Sequence, residues 1–129
     1  MTSIYERKPW LQHYRVATEL PVPATTVLDA FEEHVQRSPG APAIRYFDDS
    51  ISLADLNDRA ERFASLLSAL GIAKGDRVAL SLQNDPEFAI ALLGAWKRGA
   101  VVVPLNPMFK QKEIEYHLRD SGARIWLAL

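Results

Sequence analysis

The side chains that could carry out chemistry are few in this sequence, and they are scattered. Three histidines, His13, His34 and His117, fall in separate segments with no second histidine at i+3 or i+4, the spacing that sets two metal ligands on one helical face. No cysteine is present, which removes thiolate nucleophiles, disulfides and Cys-based zinc sites together. No serine occupies a G-x-S-x-G elbow, and the acid pairs Asp48-Asp49 and Glu113/Glu115 fall in a turn and on a helix surface, so they make no catalytic constellation. The six glycines stand at 40, 71, 75, 94, 99 and 122, so neither G-x-G-x-x-G nor G-x-x-x-x-G-K-[ST] can be written. Gly71-Ile72-Ala73-Lys74-Gly75-Asp76 has the look of a phosphate loop, but it follows a helix and precedes a strand, the reverse of the order that aims a helix N-terminus at an anion. The sequence therefore assigns no catalytic, cofactor-binding or metal residue.

Arg59, Arg62, Lys97 and Arg98 are interspersed with acids on helix faces and read as solvated surface, with no aromatic interleaving for nucleic acid. The balance of 15 Lys plus Arg against 16 Asp plus Glu gives a net charge of −1, so no overall field draws the protein to a polyanion. With 129 residues, 48% of them apolar, the chain can bury one real core. Its N-terminus lacks the apolar run of a signal peptide, and the long apolar stretch Phe88 to Leu105 is broken by Lys97-Arg98-Gly99, so no membrane span is expected.

The elements that must position any site follow from periodicity. Residues 1–24 hold Pro9, Pro21 and Pro23 with Trp10, Tyr14, Arg7, Lys8 and Arg15, which suits an extended arm. Trp10 and Tyr14 then pack on the domain's own exterior, or else meet a partner subunit or a lipid headgroup layer. A helix begins at Thr25 or Thr26 and stops at Ser38-Pro39-Gly40. Ala43 to Phe47 reads as a strand, Asp48-Asp49-Ser50 as a turn, and Ile51 as the start of a returning strand. Ser52 caps an amphipathic helix closed by Gly71. Val78 to Leu82, a helix from Pro86 to Arg98 and the run Ala100 to Val103 form a βαβ unit, and a helix from Gln111 to Ser121 leads to a further strand at 124–128. Parallel strands at about 77–82, 100–103 and 124–128 are expected, because each connection carries a helix long enough to return the chain. The 86–98 helix is apolar nearly all round and should need cover on several sides, which a chain of 129 residues can barely supply.

Ile51-Ser52-Leu53-Ala54-Asp55-Leu56-Asn57, Gly75-Asp76-Arg77-Val78-Ala79, Asn84-Asp85-Pro86-Glu87-Phe88, Lys97 to Pro107, Glu113-Ile114 and Asp120-Ser121-Gly122-Ala123, in this order and spacing, resemble the amino-terminal part of the adenylate-forming (AMP-binding) superfamily. Asn106-Pro107-Met108-Phe109 and Pro9 to Tyr14 lean toward its long-chain fatty acyl-CoA ligases; peptide-synthetase adenylation domains more often carry Asp-Pro at the first of these. Leu53, Asp55, Trp96 and Arg98 depart mildly from the family pattern. The phosphate loop ending in Pro-Lys-Gly, the acid that holds the ribose and the lysine of the small C-terminal domain have no counterpart here.

The resemblance implies an α/β fold, a partial doubly wound layer with parallel strands and crossover helices, divided as arm 1–24 and truncated subdomain 25–129. It implies a parent enzyme that uses ATP, magnesium and coenzyme A on a fatty acid, with this piece binding none of them and inactive alone. Self-association or a homodimer, a cytoplasmic location with peripheral membrane contact, and no nucleic-acid partner complete the expectations. The alternative is a free-standing α/β interaction or dimerisation module without catalysis.

Overall fold

The computed structural model describes residues 3–15 and 25–128. Its first segment departs from the expected extended arm. A four-residue helix α1 (Ile4–Arg7) runs into a 3-10 helix (Pro9–His13). The Ser3 hydroxyl accepts from the Tyr5 N–H at 3.2 Å, and the Glu6 carboxylate takes the Ser3 N–H at 2.8 Å. This capping box satisfies amides that an extended chain would leave to water, so local hydrogen bonding overrides the proline-rich composition. The rest of the expected arm, including Pro21 and Pro23, lies outside the described residues.

Helix α2 (Val27–Arg37) starts as expected at Thr26, whose hydroxyl accepts from the Asp29 N–H at 3.1 Å while the Asp29 carboxylate takes the Thr26 N–H at 2.8 Å. Strands β1 (Pro42–Tyr46) and β2 (Asp49–Ser52) then form an antiparallel hairpin. Tyr46 pairs with Asp49, so the turn is Phe47-Asp48 and not Asp48 to Ser50. The register is set by burial: Ile51, 8% exposed, pairs with Ile44, and a slip of one residue would turn it to solvent. That register leaves two residues for the turn, and Phe47 takes a positive φ of 51°, the conformation such tight hairpins demand.

Ser52 caps α3 (Leu53–Ala69), accepting from the Asp55 N–H at 3.1 Å. The chain leaves α3 through Gly71 at φ 78°, so Gly71 to Asp76 is a helix exit and turn, as its order in the sequence requires. Strand β3 (Arg77–Ser81), helix α4 (Pro86–Lys97), strand β4 (Val101–Pro104), helix α5 (Gln111–Ser121) and strand β5 (Ile125–Ala128) follow. The three strands are parallel in the order β4-β3-β5. Val78, Leu80, Val102, Ile125 and Leu127 share one face and pack with Ala91 and Ala95 of α4 and Leu67 of α3. Trp126, one residue out of phase, belongs to the other face and lines a groove with Ile114 and Leu118 of α5. The two crossovers run in opposite directions to opposite faces and so have the same hand, the doubly wound pattern.

Helix α4 does not lack cover. Phe88, Ala91, Leu92 and Ala95 meet the sheet-side core, while Leu93, with Ala89, Ile90 and Trp96, meets a second cluster made by Ile51, Leu56 and Ala60 with Leu28, Phe31 and Ile44. The hairpin, α2 and α3 thus form an outer layer over α4. Full burial of Leu67, Ile72, Val78 and Leu80 contributes about 1.5–3 kcal/mol each.

Candidate functional site

In an open parallel sheet, ligands bind outside the carboxyl ends of the strands where successive connections leave to opposite faces. Here that point lies between β3 and β4, because β3 is followed by α4 on one face and β4 by α5 on the other. By this topology the crevice falls between the loops that follow β3 and β4, Leu82 to Asp85 and Leu105 to Lys110. It is held shut at its floor by the Leu105 N–H donating to the Leu80 carbonyl at 2.8 Å. Its polar side chains are Gln83 and Asn84, both exposed, and Asn106, whose side-chain oxygen accepts from the Met108 N–H at 2.9 Å and fixes the turn into α5.

These residues do not fit a nucleotide triphosphate or its magnesium. The helix N-terminus that faces the crevice is already capped by the Asp85 carboxylate, which accepts from the Phe88 N–H at 3.1 Å, and Pro86 removes a further amide. A second anion there would meet a negative charge and a missing donor. Among the described residues no group of three or more His, Cys, Asp or Glu is placed to hold a metal ion. His34 bonds through Nδ1 to the Ala30 carbonyl at 2.8 Å, His117 stacks on Phe109 at 5.0 Å, and His13 ends the exposed 3-10 helix. The histidines stay apart.

The polar network that the tertiary structure does assemble is structural. Lys97, read from sequence as solvated surface, is instead buried, its side chain 7% exposed between Glu32 of α2 and Glu61 of α3 at 2.6 Å each. Burial works to lower the ammonium's pKa, but the two carboxylates outweigh it and leave the value raised. Arg98 is likewise half-buried, donating from Nε to the Ile72 carbonyl at 2.7 Å. Both partners lie tens of residues away in sequence, so no local pattern could have revealed them.

The amino ends of the strands carry a second network. Arg77 donates to the Ser121 carbonyl at 2.8 Å and the Gly122 carbonyl at 3.2 Å, closing the C-terminus of α5. Asp76 accepts from the Ala73 N–H at 2.8 Å and from Arg124 at 2.7 Å. The Ala73 amide chiefly holds the Asp76 carboxyl below the usual aspartate range; desolvation opposes it, and Arg124 and Arg77 add to the lowering. These charges tie elements together on the end of the sheet opposite the crevice.

Residues 31–128 match the family model described as AMP-binding enzyme. The long-chain-fatty-acid–CoA ligase of Bacillus subtilis is 34% identical over 125 residues, covering 95% of this chain and 22% of that protein. Surfactin synthase subunit 2 of the same organism is 42% identical over 109 residues, covering 84% of this chain and 3% of its own length. The chain thus spans about a fifth of the fatty acid ligase and a far smaller part of the synthase. The crystal structure of the N-terminal domain of FACL13 from Mycobacterium tuberculosis superposes with a TM-score of 0.74 at 38% identity, over 79% of this chain and 26% of that one. With its parallel β4-β3-β5 layer and helices on both faces, the chain belongs to the AMP-binding, adenylate-forming enzymes and has the fold of their N-terminal subdomain.

Proposed function

We propose that the chain is the amino-terminal scaffold of a ligase that activates a long-chain fatty acid. A carboxylate is a poor electrophile, so the whole protein would join it to AMP from ATP, releasing pyrophosphate, and then pass the acyl group to the thiol of coenzyme A. The observation that carries this reading is the reach of the similarity. A match covering 95% of the chain leaves only a handful of residues outside it and so takes in Pro9 to Tyr14, whereas the synthase match, at 84%, leaves enough of the chain outside to omit Pro9 to Tyr14 altogether. ATP, magnesium and coenzyme A would be held elsewhere in the whole protein, and the 129 residues alone are expected to be inactive. Their share is to build the sheet and its α3/α4 cover. The reading places the whole protein where ATP and coenzyme A are available, in the cytoplasm.

A second reading, an adenylation unit of a larger synthase, is favoured by the 42% identity to surfactin synthase subunit 2. The two separate in an ATP–pyrophosphate exchange assay on the product of the complete coding sequence that contains these residues, offered fatty acids and amino acids in parallel. Exchange with a long-chain fatty acid, followed by thioester formation when coenzyme A is added, is the expected result. Exchange with amino acids alone would transfer the chain to the synthase reading. A reading frame that stops at Leu129, with no exchange, would overturn both and leave the free-standing interaction module.

A further inference from the structure

We propose that the cleft where α2, α3 and α4 meet is a binding site for a guanidinium group. The cleft has a volume of about 280 Å³ and is lined by Glu32, Val35 and Gln36 of α2, Asn57 and Glu61 of α3, and Lys97 of α4. It stands apart from the crevice at the strand ends. Helix α4 leaves that crevice at Pro86 and ends at Lys97, so the 12 residues of the helix separate the two places, a span of about 18 Å at 1.5 Å per residue.

The Lys97 network is structural on its inner side and open on its outer side. The ammonium, on a side chain only 7% exposed, donates to Oε1 of Glu32 and to Oε1 of Glu61 at 2.6 Å each. Among the described residues no other donor reaches either carboxylate, so Oε2 of each is without a protein partner, on side chains 42% and 56% exposed. A buried cation thus holds two carboxylates in place from behind, and a ligand that meets their outer oxygens need not immobilise them. Two carboxylates against one ammonium also leave the cleft with an uncompensated negative charge.

These groups select among ligands. An anion would meet two carboxylates, and the lysine already spends its hydrogen bonds on them. A metal ion would need the position between the carboxylates that the ammonium occupies. A guanidinium presents a flat fork of five donors, which can serve two carboxylates at once, and its weakly hydrated faces tolerate an apolar wall such as Val35. Gln36 and Asn57 carry side-chain oxygens for the donors that remain. A lysine-type ammonium is a point charge without the fork. The guanidinium belongs either to a free small molecule or to an arginine of a partner protein, and the test separates these sources. The inference does not rest on the fatty acid reading.

Proton–nitrogen NMR spectra of the 129-residue protein, titrated with N-acetyl-arginine methylamide, with agmatine and with N-acetyl-lysine methylamide, test it. The Asn57 side-chain amide should shift and saturate with a dissociation constant of about 1 mM for the arginine probe, and binding should weaken with added salt. The lysine probe should bind at least about fivefold more weakly. Glu61→Gln, which leaves Lys97 paired with Glu32, should weaken the arginine probe about tenfold. Gln36→Lys places a cation at an exposed position of α2 and should weaken it by a similar factor, with the melting temperature unchanged. Tighter binding of the blocked arginine than of agmatine supports a protein partner, and the reverse order supports a free small molecule. No saturable shift, a shift matched by the lysine probe, or one indifferent to Gln36→Lys overturns the proposal.

Discussion

Replacing Gly94 by alanine should destabilise the protein, although alanine is the better helix former. A Cβ built on Gly94 would stand 2.7 Å from the Ala60 carbonyl oxygen and 2.9 Å and 3.0 Å from Cδ1 and Cβ of Phe63. Phe63 can give a little by rotation. The Ala60 carbonyl cannot, because it is part of the backbone of α3. Relief requires α3 and α4 to part by about 0.5 Å, and a gap of that size forfeits a quarter or more of the dispersion energy of each contact it opens. The contacts in question include Ala60 and Leu67 of α3 and Ala91 and Ala95 of α4, all 2% exposed or less. Overpacking of this kind costs about 1–3 kcal/mol, and the helix propensity of alanine returns about 1 kcal/mol. A 2.7 Å contact to backbone puts the cost in the upper half of that range, so the net loss is about 1–2 kcal/mol, a fall in melting temperature of roughly 4–8 °C for a domain of this size. Urea denaturation followed by circular dichroism measures it as a lower midpoint with an unchanged slope. Gly40→Ala is the control, since nothing lies within 4 Å of that position and its φ is ordinary; it should be neutral. A Gly94→Ala protein as stable as the parent would refute the close helix approach on which this reasoning rests.

The Lys97 cluster should respond unequally to loss of its two signs. Lys97→Met leaves two carboxylates that are 42% and 56% exposed and can return to water, so it should cost about 1 kcal/mol or less. Glu32→Gln with Glu61→Gln strands a buried ammonium and should cost about 3 kcal/mol; urea midpoints that fall equally for the two would contradict this. The lowered pKa of Asp76 stabilises the fold above the ordinary aspartate range, and that contribution is lost as pH falls through the lower folded value. Asp76→Asn should therefore flatten the acid limb of a stability–pH profile, and an unchanged limb would remove Asp76 from the account. The raised pKa of Lys97 acts with the opposite sign, its contribution being present at neutral pH and lost only as pH rises through the folded value. Self-association is expected through the α5/β5 face, where Trp126 is 44% and Val101 50% exposed beside a groove of about 460 Å³. Trp126→Lys should make the protein monomeric in light scattering, and a parent protein monodisperse at high concentration would dismiss the idea.

Which segments become helix or strand, and where they start, was readable from the sequence because local groups decide it. Thr26, Ser52 and Asp85 each cap their own helix with a side chain three residues from its donor, and the β-branched runs around Val78 and Val102 could satisfy their backbones only in a sheet. The family was legible for a related reason: its motifs are these same caps, turns and strand ends, kept in order. The hairpin turn was misplaced because Phe47, a residue with no turn preference, is forced to a positive φ by the burial of Ile51 on the far strand. The N-terminal turns were missed because Ser3 and Glu6 outweigh prolines that stand outside their reach. Lys97 was misread for the plainest reason, since Glu32 and Glu61 reach it only when α2 and α3 pack on α4. Sequence spacing governs interactions within a turn or two of helix. Which face of α4 lies toward the sheet, which strand is central and where the crevice opens are set by side chains far apart in the chain, and only their packing together decides them.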